Sequence, residues 1–247
     1  MRKLDTLRAN SSGQLLIVAA LVIALLISST TIYVYELSKE TSDTESPALN
    51  DFILSITQST RNTMVSSLAN VSNGGDKAVL PQNLNRFSSA IRSLNQFGVC
   101  NLTFSLFDDS VYDSGIWLSW NASSVAVSSV YADFSLDVAS FASEATAQYS
   151  VNVTTSLIGN CSYALEGVNK HVSLIFTLYN DGEPALAKNV ALFYGSSGNW
   201  TQISGSTVNY GNGTYFISLD VPSGAIQIFA SVCDLREVFV QAKYDLL

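Results

Sequence analysis

From Leu15 to Tyr35 the chain reads LLIVAALVIALLISSTTIYVY, twenty-one residues without a charge. A helix rises about 1.5 Å per residue, so this run reaches roughly 30 Å, the hydrocarbon thickness of a bilayer. Its flanks set the orientation. Arg2, Lys3 and Arg8 precede it against Asp5, whereas Glu36 to Glu45 holds four acids and only Lys39. Positive flanks stay in the cytoplasm, so residues 1–13 are expected as a cytoplasmic tail and 14–35 as a transmembrane helix whose partner is the lipid bilayer. Everything from about residue 36 is then outside the cell membrane. A cleaved secretory signal has an apolar region of only about 7 to 15 residues, and Ser28-Ser29-Thr30-Thr31 makes a poor small-residue cleavage pattern. The helix is therefore expected to be retained.

The segment Ser12-Gly13-Gln14-Leu15-Leu16 follows a short basic tail and enters the apolar run without a break. It resembles the prepilin-type signal of archaeal pilins and related surface proteins. Ser11-Ser12 stands where a charged pair would be expected, and Val18 where bacterial pilins carry glutamate. The resemblance implies cleavage between Gly13 and Gln14 on the cytoplasmic side, with the apolar helix kept as anchor or filament core.

Only 13% of the residues are charged and 47% are apolar, and Ser and Thr dominate the polar remainder. That composition suits β-sheet and lacks the Ala/Glu/Lys/Leu bias of helical proteins. The net charge of −8, with the tail cationic, makes the exterior strongly acidic and argues against nucleic acid as a partner. Besides the bilayer, a second copy of the chain in a homo-oligomer or other envelope proteins are candidate partners. Asn-x-Ser/Thr occurs beyond the span at Asn70, Asn101, Asn121, Asn152, Asn160, Asn199 and Asn212, and once before it at Asn10. These sequons are candidate N-glycosylation sites of a surface protein, with Asn10 bare on the inner side.

Residues 36–98 are expected as a polar stalk and two juxtamembrane helices. Ser46-Pro47 reads as an N-cap with proline at the first position, and Leu49, Phe52, Ile53, Ile56, Met64, Val65 and Leu68 repeat at helical spacing up to Asn73-Gly74-Gly75. A second helix from near Pro81 carries Leu84, Phe87, Ile91 and Leu94 and stops at Gly98. From Val99 the period becomes two, as in Leu102, Phe104, Leu106 and again in Ala132, Phe134, Leu136, Val138, which predicts half-buried antiparallel strands. Trp117 and Trp120 fall on opposite faces of one of them, a place for core packing or for a sugar-stacking platform.

A first β module is expected over 99–160 and a second over 167–247, with the turn-like stretch Ile158 to Gly167 between them. In the second, Val172 to Leu178, the turn Asn180-Asp-Gly-Glu-Pro184, Val190 to Tyr194, Tyr210-Gly-Asn-Gly-Thr-Tyr215 and Pro222-Ser-Gly224 give strands at regular spacing. That order resembles the Ig-like modules of archaeal and bacterial surface proteins, which implies a sandwich acting as spacer or adhesive unit. The expected fold class is thus a mainly β ectodomain of two antiparallel β modules, the second an Ig-like sandwich, behind an N-terminal transmembrane helix and two juxtamembrane helices.

Cys100, Cys161 and Cys233 all lie beyond the span, where oxidation can pair any two of them or leave three buried thiols. No catalytic or cofactor signature is present. His171 is the only histidine, at a strand start where a surface role is expected. Asp108, Asp109 and Asp113 are the best metal candidates, but their spacing fits a solvated turn better than a calcium loop. The expected function is a membrane-anchored cell-surface structural or adhesion protein, a pilin-like filament subunit rather than an enzyme. The alternative is an extracellular module that binds a glycan or peptide.

Overall fold

The computed structural model describes residues 27–28, 30–32, 49–93, 98–120, 122–139, 144–196 and 199–246. Residues 27, 28 and 30–32 are helical; the rest of Leu15 to Tyr35, together with Asn10, Gly13, Gln14 and Asn121, lies outside the described residues. Among the described residues no helix is long and apolar enough to cross a membrane. The chain divides into two compact units, Met1–Leu54 and Ser55–Leu247, and the second holds nearly all of the described structure.

Helix α1 covers 49–72. It ends where Gly74 takes a φ of +96° and the amides of Gly74 and Gly75 turn back onto the carbonyls of Val71 and Asn70, the left-handed C-cap that glycine makes without strain. Helix α2, Val79–Ser93, is capped by Asp76, whose Oδ1 accepts the Ala78 amide at 2.8 Å. It therefore begins ahead of Pro81, which sits in the first turn where a missing N–H costs nothing.

The strands are β1 Val99–Leu106, β2 Ile116–Ser119, β3 Val125–Ala139, β4 Glu144–Glu166, β5 Asn169–Asn180, β6 Glu183–Pro184, β7 Ala187–Ser196, β8 Asn199–Ile203, β9 Ser206–Asn209, β10 Thr214–Pro222, β11 Gln227–Asp234 and β12 Phe239–Asp245. The protein is mainly β, built on two antiparallel sheets. The larger runs β1-β3-β4-β5-β10-β9, with β2 also on β3 and β6 on β5; the smaller runs β12-β11-β7-β8. At the β5–β6 hairpin Asp181 and Gly182 have φ of 54° and 88°, the two left-handed residues that match a tight turn to strand twist.

Alternation decides which face is covered. On β3 the side chains of Val130, Ala132, Phe134, Leu136 and Val138 are buried, as are Met64 and Leu68 of α1 and Leu80, Leu84 and Ile91 of α2; Thr60 of α1 meets the Tyr149 hydroxyl at 3.0 Å, and α2 packs on β1. The same face continues through Ala126 and Leu157 into a second core with Phe176, Ile217, Ile228, Ala230, Val240, Ala242 and Tyr244. Helices thus cover one end of the large sheet, and the small sheet covers the other in a β-sandwich. The two apolar helical stripes are used within the chain.

Ile158 to Gly167, expected as the turn between two modules, is instead the second half of β4 and its hairpin into β5. Gly159 lies in mid-strand opposite Phe176, and a Cβ there would stand 2.5 Å from the Ile175 carbonyl and 2.6 Å from the Tyr244 hydroxyl. This glycine allows a close approach between sheets and does not turn the chain. Residues 99–160 and 167–247 accordingly share one sheet and one compact unit.

Candidate functional site

The lone histidine has specific partners. His171 stands opposite Asp220 across the β5–β10 ladder, and the period of two puts Ser218 on the same outer face. Its Nδ1 lies 2.7 Å from Asp220 Oδ1 and its Nε2 3.1 Å from Ser218 Oγ, the order of nucleophile, base and orienting carboxylate. Acyl transfer also needs N–H donors aimed at the developing oxyanion. Ser218 is paired with Ser173 on one side and Ser206 on the other, so its own backbone lies within the ladders. The cluster is a cross-strand polar relay on the outer face of the large sheet.

The two tryptophans do take opposite faces. Trp120 turns inward, donating Nε1–H to Ser128 Oγ at 3.0 Å with its ring 5.2 Å from Phe239. Trp117 turns outward into a run of rings, Trp117 to Tyr112 at 5.8 Å, Tyr112 to Phe107 at 5.6 Å and Phe107 to Tyr131 at 4.9 Å, mostly edge to face. Phe107 is 40% exposed. The Tyr131 hydroxyl donates to Asp133 Oδ1, which also accepts Ser150 Oγ at 2.6 Å. Beyond it a shallow groove of about 450 Å³ is bordered by Thr103, Asp133, Ser135, Gln148 and Ser150. An apolar aromatic surface with a polar rim can hold the apolar face of a sugar ring and hydrogen-bond its hydroxyls.

The acidic loop beside these rings serves its own backbone. Asp109 Oδ1 accepts the amides of Val111 and Tyr112, each at 2.7 Å, and Asp113 pairs with Lys77 at 2.7 Å. Hydrogen bonds from Lys77 and Ser114 hold the Asp113 carboxyl below its ordinary range. No group of three or more His, Cys, Asp or Glu able to hold a metal occurs among the described residues.

Cys100 on β1, Cys161 on β4 and Cys233 on β11 are free thiols. Burial pushes all three up, Cys161 to about 11, so each stays protonated near neutrality and is a poor nucleophile. Among the described sequons Asn70, Asn152, Asn160, Asn199 and Asn212 are exposed. Asn101 is half-buried, its Oδ1 taken by Arg92 at 2.8 Å.

A polar network that sequence reasoning missed sits where helices and sheets meet. Asp234, fully buried, accepts the amides of Arg236 and Val238 through Oδ1, both at 2.8 Å, and Thr155 Oγ1 and Arg236 Nε through Oδ2. Arg236 reaches on to Asp181 at 2.7 Å, and Asp181 also takes Arg61 of α1 at 2.5 Å. Asp234-Leu-Arg236 lies between two apolar strands and reads as an ordinary polar turn; the burial of its carboxylate leaves no mark in composition or period.

Comparison with protein-family models, with characterised proteins and with solved structures finds no match to the chain.

Proposed function

We propose that the chain is a membrane-anchored cell-surface structural or adhesion protein, a pilin-like subunit with Leu15 to Tyr35 as anchor and an Ig-like sandwich outside. The observation that supports this most is the attachment of α1, the helix that follows the stalk. Its residues from 55 onward belong to the same compact unit as both sheets, joined by Arg61 to Asp181, Thr60 to Tyr149, and the Phe239 amide to Ser72 Oγ at 3.0 Å. Several polar bonds tie this helix to the sheets, an attachment suited to the base of a load-bearing head. The exposure of Asn70, Asn152, Asn160, Asn199 and Asn212 fits a glycosylated exterior.

The N-terminal residue of the membrane-bound protein tests the anchor. Prepilin-type cleavage gives a chain beginning at Gln14 and a retained helix one beginning at Met1, and either keeps the apolar run in the bilayer. A chain beginning beyond residue 28 is a secreted protein and removes the proposal.

The outward ring cluster favours a second reading, capture of a glycan through Phe107, Tyr112, Trp117 and Tyr131. Under it, a sugar that binds on a glycan array loses about tenfold in affinity in Trp117→Ala, the scale of one stacking contact, and quenches fluorescence in the parent but less in the variant. Unchanged binding by Trp117→Ala would discard this reading while leaving the anchoring proposal intact.

A further inference from the structure

The large sheet leaves one of its edges open. Strand β4 is paired with β3 from Glu144 to Ile158, but its pairing with β5 starts only at Thr155, so one side of its first half has no neighbouring strand among the described residues. Where this side approaches β5 it is closed: the Asp181 amide donates to the Thr154 carbonyl, Asp181 Oδ1 accepts the Thr154 amide, and Arg61 reaches the Asn152 carbonyl. Backbone groups alternate along a strand, so the N–H and C=O of Glu144, Thr146, Gln148 and Ser150 point the same way. Among the described residues nothing takes them.

Exposed edges invite pairing with another chain, and folds guard them with proline, lysine, bulges or covering side chains. The β1 edge is guarded, because Ser88 of α2 donates to the Leu102 carbonyl. From Ala145 to Val151 β4 reads ATAQYSV, with no proline, glycine or charge. We propose that this edge pairs antiparallel with the same edge of a second copy about a twofold axis at Gln148, joining two large sheets into one. The proposal goes beyond the anchoring reading and stands without it.

The occupant follows from self-complementarity. Centred on Gln148, the open backbone groups of Thr146 face those of Ser150 in the other copy and each pair exchanges both hydrogen bonds. On the covered face Ala147 meets Tyr149 and Ala145 meets Val151, small against large in both cases. On the outer face Gln148 meets itself and Glu144 meets Asn152, so no like charges stand opposite each other. Asp137 and Asp133, which hold Thr146 and Ser150, come no nearer than three strand spacings across the junction, about 14 Å and beyond the Debye length at physiological salt. For a chain of net charge −8 this neutral strip is a route by which two copies can meet without repulsion. The contact is isologous and closes at two.

Light scattering on the full-length chain in mild detergent reads the association directly. The expected result is a dimer that Gln148→Pro and Gln148→Lys each shift to monomer with unchanged circular dichroism. Residue 148 directs its amide away from β3, so proline removes no bond of the monomer, while two lysines would face each other in the dimer. Loss of two N–H···O bonds per dimer raises the dissociation constant at least about tenfold. The amides of Thr146, Gln148 and Ser150 should exchange slowly in the dimer and fast in Gln148→Lys. A monomeric parent overturns the proposal, as does a dimer that survives both substitutions. Slow exchange of the three amides in a monomer also overturns it, by showing that another part of the same chain covers the edge.

Discussion

Asp234→Ala is expected to cost about 3 to 5 kcal/mol of stability, the range for removing one partner of a buried charged pair. The loss has two sources. The amides of Arg236 and Val238, both satisfied by Asp234 Oδ1, become unpaired donors, each a desolvation penalty of roughly 1 to 3 kcal/mol when buried. Arg236 also loses the carboxylate that accepts its Nε, while Thr155, buried beside it, loses an acceptor. Asp234→Asn keeps the shape and one acceptor oxygen and should lose distinctly less. Urea unfolding of the three proteins checks both statements, and equal midpoints for parent and Asp234→Ala would show that the network adds nothing to stability.

Phe176→Ala should cost a similar amount, about 3 to 5 kcal/mol, through a different cause. Its ring is 1% exposed, lies 5.4 Å from Tyr215 at an interplanar angle of 24°, and backs onto Gly159, where no side chain can move in to fill the space. The cavity therefore persists, and the cost lies toward the high end of the range. Thr177→Ala on the other face removes only a hydroxyl contact with Thr214 and should change stability by less than about 1 kcal/mol. If the two substitutions shift the thermal midpoint equally, the inside and outside of β5 have been exchanged.

Period and turn chemistry are why so much of the fold was legible. Alternation assigned Phe176 inward and Thr177 outward because one face of the strand is buried, and Asn180-Asp-Gly-Glu named its hairpin because two left-handed residues are needed there. The boundary at Ile158 to Gly167 misled because Gly159 and Asn160 look like a turn locally. The reason for Gly159 lies in Tyr244, eighty-five positions away, and no local pattern carries that. The site residues divide in the same manner. Opposite faces for Trp117 and Trp120 follow from parity alone, whereas the partners of His171 depend on the β5–β10 register. Asp234, Asp181 and Arg61 come together only after both sheets and α1 are in place.

The length of β4 bears on how this molecule would carry tension. Its twenty-three residues trace roughly 75 Å of extended chain, bonded to β3 along the first part and to β5 along the last, and only Thr155 to Ile158 is paired on both sides. A pull applied through the helical end and resisted at the sandwich end would load these ladders in shear, many bonds sharing the force at once, where a pull across the strands would open them one by one. The short doubly paired stretch is where force must cross from one ladder to the other, and it begins at Thr155, the residue that Asp234 and Arg236 hold from the opposite sheet.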